Sequence, residues 1–166
     1  MAELLLHGDL DQPARLSVAD LRGWAQHRAA VTFDCATNGP QHHVFEGALL
    51  REVVGDAGPA FDARRRKDRS RFLLAVSGGD GHHTVLSWAE LDGDFGDSPV
   101  LLATRLDGTA LDAAGAQLVV PSDRCGARYV SAVTEVWFGA LYRPAPPEPV
   151  PSVPVGAVPA RARAGR

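Results

Sequence analysis

Proline sets the outer limit of what this chain can fold. Seven of its twelve prolines fall within residues 144–166, in the stretch that begins Pro144-Ala145-Pro146-Pro147-Glu148-Pro149. Each proline fixes φ and removes a backbone donor, so such a run joins neither a helix nor a sheet interior. The chain therefore divides into an expected folded body, residues 1–143, and a disordered, polyproline-like tail, residues 144–166. A docking motif for a proline-reading partner is the alternative for the tail. A body of this length buries about two-thirds of its unfolded surface, enough for one core.

Within the body, short elements alternate. Leu4 to His7 reads as an edge strand. Ser17-Val18-Ala19-Asp20 opens a helix as a capping box with Asp in place of Glu, and Leu16, Leu21 and Trp24 form its apolar side. Val31-Thr32-Phe33 is a strand that ends at Asp34-Cys35. Leu49 to Val54 is a short helix stopped by Gly55 and then by Gly58-Pro59. The unbroken apolar run Phe72 to Val76 predicts a central strand buried on both faces. A glycine-rich turn, Gly78 to Gly81, leads to a strand at Thr84-Val85-Leu86, and Ser87-Trp88-Ala89-Glu90 caps another helix. Asp107-Gly108 predicts a tight hairpin between Val100–Arg105 and Thr109–Leu111. Leu118 to Val120 and Val133 to Phe138 are the last strands. No regular βαβ spacing appears, which favours an α+β fold with a mixed sheet.

Charge narrows the partners. The net −3 of the 166 residues is uneven: the tail carries +2, and the body −5, from fourteen basic and nineteen acidic side chains. A mildly acidic body argues against nucleic acid, which needs a dense basic face. No stretch approaches the ~20 apolar residues of a membrane span, and the opening Met-Ala-Glu-Leu-Leu-Leu lacks the basic start of a secretory signal. A cytoplasmic protein is expected. Sixteen of the seventeen basic residues are Arg, a bias that fits a GC-rich, bacterial coding sequence.

The candidate chemistry is sparse. The sequence has no phosphate-binding Gly-x-x-x-x-Gly-Lys loop, no dinucleotide Gly-x-Gly-x-x-Gly, no Gly-x-Ser-x-Gly elbow and no Cys-x-x-Cys. Cys35, where a strand gives way to a loop, is either a soft metal ligand or nucleophile or a buried, inert thiol. Cys35 and Cys125 are too few for a disulfide framework. His42-His43 and His82-His83 fall in predicted loops and raise a Cys/His zinc site as a further option. Residues 64–71, with six positive charges, read as a solvated loop. Arg124 and Arg128, in a polar loop between two apolar strands, suit either an anion or an ion pair with the acidic body.

At this point a family resemblance emerges. Leu118-Val119-Val120-Pro121, then Gly126-Ala127-Arg128-Tyr129-Val130 and Val133-Thr134-Glu135-Val136, resembles the end of the molybdopterin-binding domain of the sulfite oxidase family. Further matches lie upstream in order: Leu16 to Leu21, Val31 to Cys35, Phe45 to Leu50 and Leu101 to Leu111. Together they span about residues 5–140. The resemblance implies a sulfite-oxidase-like mixed-sheet α+β domain with short helices. It implies a molybdenum–molybdopterin cofactor whose metal is bound by Cys35. It also implies oxygen-atom transfer to or from a small substrate, with a separate electron carrier.

By the same resemblance Arg128 lies near the pterin phosphate and His82 and His83 over the active site. Arg124, Gly126, Ser131, Asn38 and His43 are further candidate cofactor contacts. Two family cations are replaced, by Gln117 and Ser131, and each lost charge-assisted bond weakens the hold on a phosphate by ~1–3 kcal/mol. These replacements favour the alternative, a non-catalytic binding module that kept the fold and lost the cofactor.

Overall fold

A computed structural model describes residues 1–140 of the chain; the proline-rich segment expected to be disordered lies outside the described residues. In chain order the elements are β1 (Glu3–Gly8), β2 (Ala14–Ser17), α1 (Val18–Leu21), β3 (Gln26–Cys35), β4 (Gly39–Leu49), α2 (Leu50–Asp56), α3 (Arg66–Arg69), β5 (Phe72–Gly78), β6 (His83–Ser87), α4 (Trp88–Leu91), β7 (Leu101–Leu106), β8 (Thr109–Ala110), β9 (Gln117–Val119) and β10 (Val133–Ala140), with a single 3₁₀ turn at Gly126–Arg128. Strand far outweighs helix, 47% against 16%. The α+β expectation holds.

The strands form two five-stranded sheets. The first has the order β2-β1-β10-β5-β6 and is mixed, because β1 runs parallel to β10 while its other pairs are antiparallel. The second, β3-β4-β7-β8 with β9 also on β7, is antiparallel throughout. Residues from both sheets, among them Leu4, Val76 and Phe138 from the first and Phe45, Ala48 and Leu102 from the second, meet in one buried cluster. Burying this apolar surface is the main stabilising term.

The local signals read from sequence are built as expected. Ser17 and Asp20 cap α1 reciprocally, and Ser87 and Glu90 do the same for α4. Asp107 and Gly108 both take positive φ, 48° and 81°, as a two-residue hairpin turn of this kind requires.

Several elements differ from the sequence reading. β1 is an interior strand, because β10 pairs along its other edge. β5 is central, but only alternate residues are buried; Leu73, Ala75 and Ser77 face a half-covered side. α2 runs on through Gly55 to Asp56, and it is the second expected stop, Gly58, φ 73°, that turns the chain. The basic stretch 64–71 contains α3, and Asp side chains rather than solvent alone hold it: Arg69 pairs with Asp92 and Asp94, and Arg71 with Asp68.

The largest departure is β4, eleven residues in place of a loop, which carries His42 and His43 on a strand. Its bulge at Glu46/Gly47 brings β7 so close that a Cβ on Gly47 would lie 2.2 Å from the Leu102 carbonyl oxygen. Only glycine fits there.

Candidate functional site

Cys35 is the last residue of β3 and pairs with Gly39 across a three-residue hairpin turn. Strand alternation puts Val31, Phe33 and Cys35 on one face of β3, the face that turns inward at Val31. The thiol is half-buried, whereas Cys125 is exposed. A pair of thiols on neighbouring segments would form a disulfide only if both side chains faced each other; here both cysteines are free.

The loop that carried most of the sequence signal lies along the free edge of β3. The Asp34 amide donates to the Arg124 carbonyl at 2.8 Å, and Asp34 and Cys125 form a parallel bridge. Next along the loop, Gly126 meets the Phe33 ring; a Cβ on Gly126 would sit 2.8 Å from it. Phe33 also packs edge-on against Tyr129, centroids 4.5 Å apart. His82 donates from Nε2 to the Ala127 carbonyl at 2.9 Å. The fold thus brings Cys35, Arg124, Gly126, Arg128 and His82 into one neighbourhood. Asn38 joins it through the hairpin turn, where it is exposed.

The remaining candidates sit elsewhere or face solvent. His43 pairs with Val31, four residues up β3 from Cys35, and its Nδ1 donates to Asp107 at 2.7 Å. His83 is exposed at the start of β6 and donates from Nδ1 to the Gly81 carbonyl. Ser131 lies in the turn before β10, with its carbonyl against Gly78 of the first sheet. Among the described residues no three His, Cys, Asp or Glu side chains converge as a metal cluster, so the Cys/His zinc option has no ligand set there.

The two arginines differ sharply. Among the described residues the Arg124 guanidinium makes no ion pair or side-chain hydrogen bond; it lines an open hollow of about 270 Å³ with Thr32, Phe33, Asp34 and Pro40, at the end of β3 that carries Cys35 but without Cys35 in its lining. Arg128 is committed. Its Nε and Nη2 fork onto Asp123 at 2.8 and 2.7 Å, and Nη1 donates to Glu90 at 2.9 Å. The hydrogen bonds to Asp123 and then Glu90 raise its pKa further above the usual range. Sequence reasoning singled out the cation but not these two carboxylates. Asp123, five residues away in the same loop, was the available signal.

Tyr129 is a second residue the sequence reading passed over. It is 9% exposed, its hydroxyl is sealed from solvent and has no hydrogen-bond partner, and burial pushes its pKa to about 12. A second, larger hollow of about 500 Å³ lies around Trp24, Leu16 and Asp56. Trp24 precedes β3 and Cys35 ends it, so about 30 Å of strand separates that hollow from the thiol.

Against this geometry, the family model of the oxidoreductase molybdopterin-binding domain matches residues 2–142. The chain belongs to that family. Among solved structures, this molybdopterin-binding-domain chain is similar to the sulfane dehydrogenase SoxCD from Paracoccus pantotrophus, with a TM-score of 0.63 and 20% identity. The match covers 84% of this chain and 39% of that one, so this chain spans about two-fifths of its length. At that identity the likeness carries the fold, which is the sulfite-oxidase-like fold the sequence implied. A search of curated protein sequences gave no match. Among the described residues no helix is long and apolar enough to cross a membrane.

Whether the residues present suit the family's cofactor turns on two contacts. A half-buried thiol at a strand end is a soft donor of the kind molybdenum takes. The uncommitted Arg124, on the loop bonded to the Asp34 amide, suits a phosphate. At these two positions the chain fits the group; at Arg128 the cation is already matched by two carboxylates.

Proposed function

We propose that this protein binds a molybdenum–pterin cofactor at the Cys35 end of β3 and works as a cytoplasmic oxidoreductase on a small substrate. The observation that carries the reading is the free, half-buried Cys35 thiol at the end of β3, with the loop of the uncommitted Arg124 bonded to the neighbouring Asp34 amide. When bound, the cofactor would supply oxygen-atom transfer to the substrate, with the electrons passing to a separate carrier, or from the substrate, with the electrons drawn from that carrier.

The chain's own residues have narrower tasks. Cys35 binds metal as the thiolate, so its proton leaves through the exposed side of the residue. Arg124 draws the phosphate to the hollow, while Gly126 lets the loop lie flat against Phe33. His82 holds the loop through the Ala127 carbonyl, and His83, exposed beside it, faces incoming substrate. Asn38 rims the hairpin turn next to Cys35.

Full-length protein from a host that makes the cofactor tests this directly, by elemental analysis for molybdenum and by pterin fluorescence. Stoichiometric molybdenum that disappears in Cys35→Ser supports the reading. Folded, metal-free protein from that host overturns it. That outcome would leave the second reading, a cofactor-free binding module on the same scaffold. The specific observation in its favour is the engagement of Arg128 by Asp123 and Glu90, which leaves Arg124 as the one free guanidinium of the loop.

A further inference from the structure

Arg128 occupies the position where the family resemblance implies a phosphate contact, yet its local charge does not suit one. One guanidinium faces two carboxylates, so the cluster of Arg128, Asp123 and Glu90 sums to −1. A phosphate brought against it would meet net repulsion, and extracting Arg128 would strand two partly buried carboxylates. The three residues belong to different parts of the fold. Asp123 precedes the 3₁₀ turn and Arg128 is its last residue, and Glu90 belongs to α4, whose capping box it completes by accepting from the Ser87 amide through Oε2 at 2.8 Å. Arg128 therefore fastens the loop to α4, beside the first sheet. The same loop lies on the edge of β3 in the second sheet through the Asp34 amide and the Arg124 carbonyl.

We infer that Arg128 is a positioning residue: through its fork to Asp123 and its bond to Glu90, it fixes the 121–128 loop so that Arg124 faces the hollow at the end of β3. The inference rests on the proposed site for its functional consequence, but its structural half stands without any cofactor. Glu90 and Asp123 are then parts of the same device, and neutralising either carboxylate releases the loop. If Arg128 instead bound the anion itself, neutralising Glu90 would free a donor and strengthen the hold.

The test compares Arg128→Gln, Arg128→Lys and Glu90→Gln with the parent full-length chain. Glutamine at 90 keeps an acceptor for the Ser87 amide, so α4 stays capped. Circular dichroism and urea titration first establish that each variant is folded. In metal-free protein, hydrogen exchange of the Asp34 amide should accelerate about tenfold in all three, the factor that about 1.4 kcal/mol of lost support gives. Amides of the β7–β8 hairpin should keep their rates. Lysine should fail to restore protection, because a point charge does not reproduce the fork.

In protein from a cofactor-making host, molybdenum content should fall in Glu90→Gln as it does in Arg128→Gln. Unchanged Asp34 exchange in the three variants overturns the inference whether or not metal is present. Molybdenum retained or increased in Glu90→Gln, or restored by Arg128→Lys, also overturns it and returns Arg128 to direct anion contact. Parent protein without molybdenum overturns the proposed function alone, and the exchange measurement still decides the role of Arg128.

Discussion

Asp92 is the carboxylate on which the α4 end of the molecule depends, and removing it has a calculable effect. It follows α4 directly and is 7% exposed. Its oxygens accept from Trp88 Nε1 at 2.9 Å, from Arg69 Nη1 at 2.7 Å and from the Asp94 amide at 2.9 Å. Trp88 is itself 5% exposed, so in Asp92→Ala its indole N–H has lost its partner in a place water does not reach. An unpaired buried donor costs about 1–3 kcal/mol, and the lost Asp94 bond about 0.5–1.5 kcal/mol. Arg69 keeps Asp94, so it does not become a lone charge.

The expected loss is about 2–4 kcal/mol, a large share of a typical domain's 5–15 kcal/mol. At about 2–4 °C per kcal/mol for a chain of this size, the midpoint temperature should fall by about 4–16 °C. Urea titration followed by tryptophan fluorescence measures the change, with the slope m expected to stay constant. Asp92→Asn keeps one acceptor oxygen and should lose about half as much. A loss in Asp92→Ala below about 1 kcal/mol would show that the indole finds another partner and would refute the accounting.

Two further outcomes follow from Tyr129 and from the hydrogen-bonded carboxylates. Tyr129→Phe removes a sealed hydroxyl that has no partner while keeping the ring against Phe33, so stability should hold or rise by about 1 kcal/mol; a urea midpoint that falls instead would reveal a hydrogen bond to that oxygen. Acid should destabilise the fold. Asp107 is held below the usual carboxylate range by the Val44 amide first and His43 second, Asp20 by Ser17, and Asp112 by Arg22. A carboxyl whose folded pKa is depressed contributes stability above its unfolded value, near 3.9, and loses it as pH falls through the folded value. Urea midpoints should therefore be level from pH 7 to about 4 and drop below it, with a shallower drop in Asp107→Asn. A drop of equal steepness in that variant would remove Asp107 from the account.

What was legible in the sequence is what is local in the chain. Ser17 with Asp20, Ser87 with Glu90, and Asp107 with Gly108 each act over two to four residues, and each is built as read. β4 was missed because Gly39-Pro40-Gln41-His42-His43 has loop chemistry; its strand state comes from pairing with all ten residues of β3. Proline is tolerated there because Pro40 stands at the strand's start. The interior place of β1 depends on β10, roughly 130 residues away, and no local pattern encodes that parallel pairing.

The site divides along the same line. Cys35 at a strand end was readable, and so was a cationic loop spanning Arg124 and Arg128. Which arginine is free was only half readable: Asp123, five residues before Arg128 in the same loop, was in view, but Glu90, 38 positions before it and on a different element, was not.

That division bears on how the scaffold could grip an anion at all. By the family resemblance Gln117 and Ser131 stand where two cations are implied, and the Asp123–Arg128–Glu90 cluster takes a third out of play. Arg124 is then the loop's one free cation, exposed and therefore screened by salt, in a hollow that also contains Asp34. A dianionic phosphate held by such a cation alone would bind weakly. On the proposed function, firm retention of the cofactor would then have to come from the other end, where a metal–thiolate bond at Cys35 would not depend on ionic strength. The loop's contribution on this account is to place one charge and one flat backbone beside that thiol.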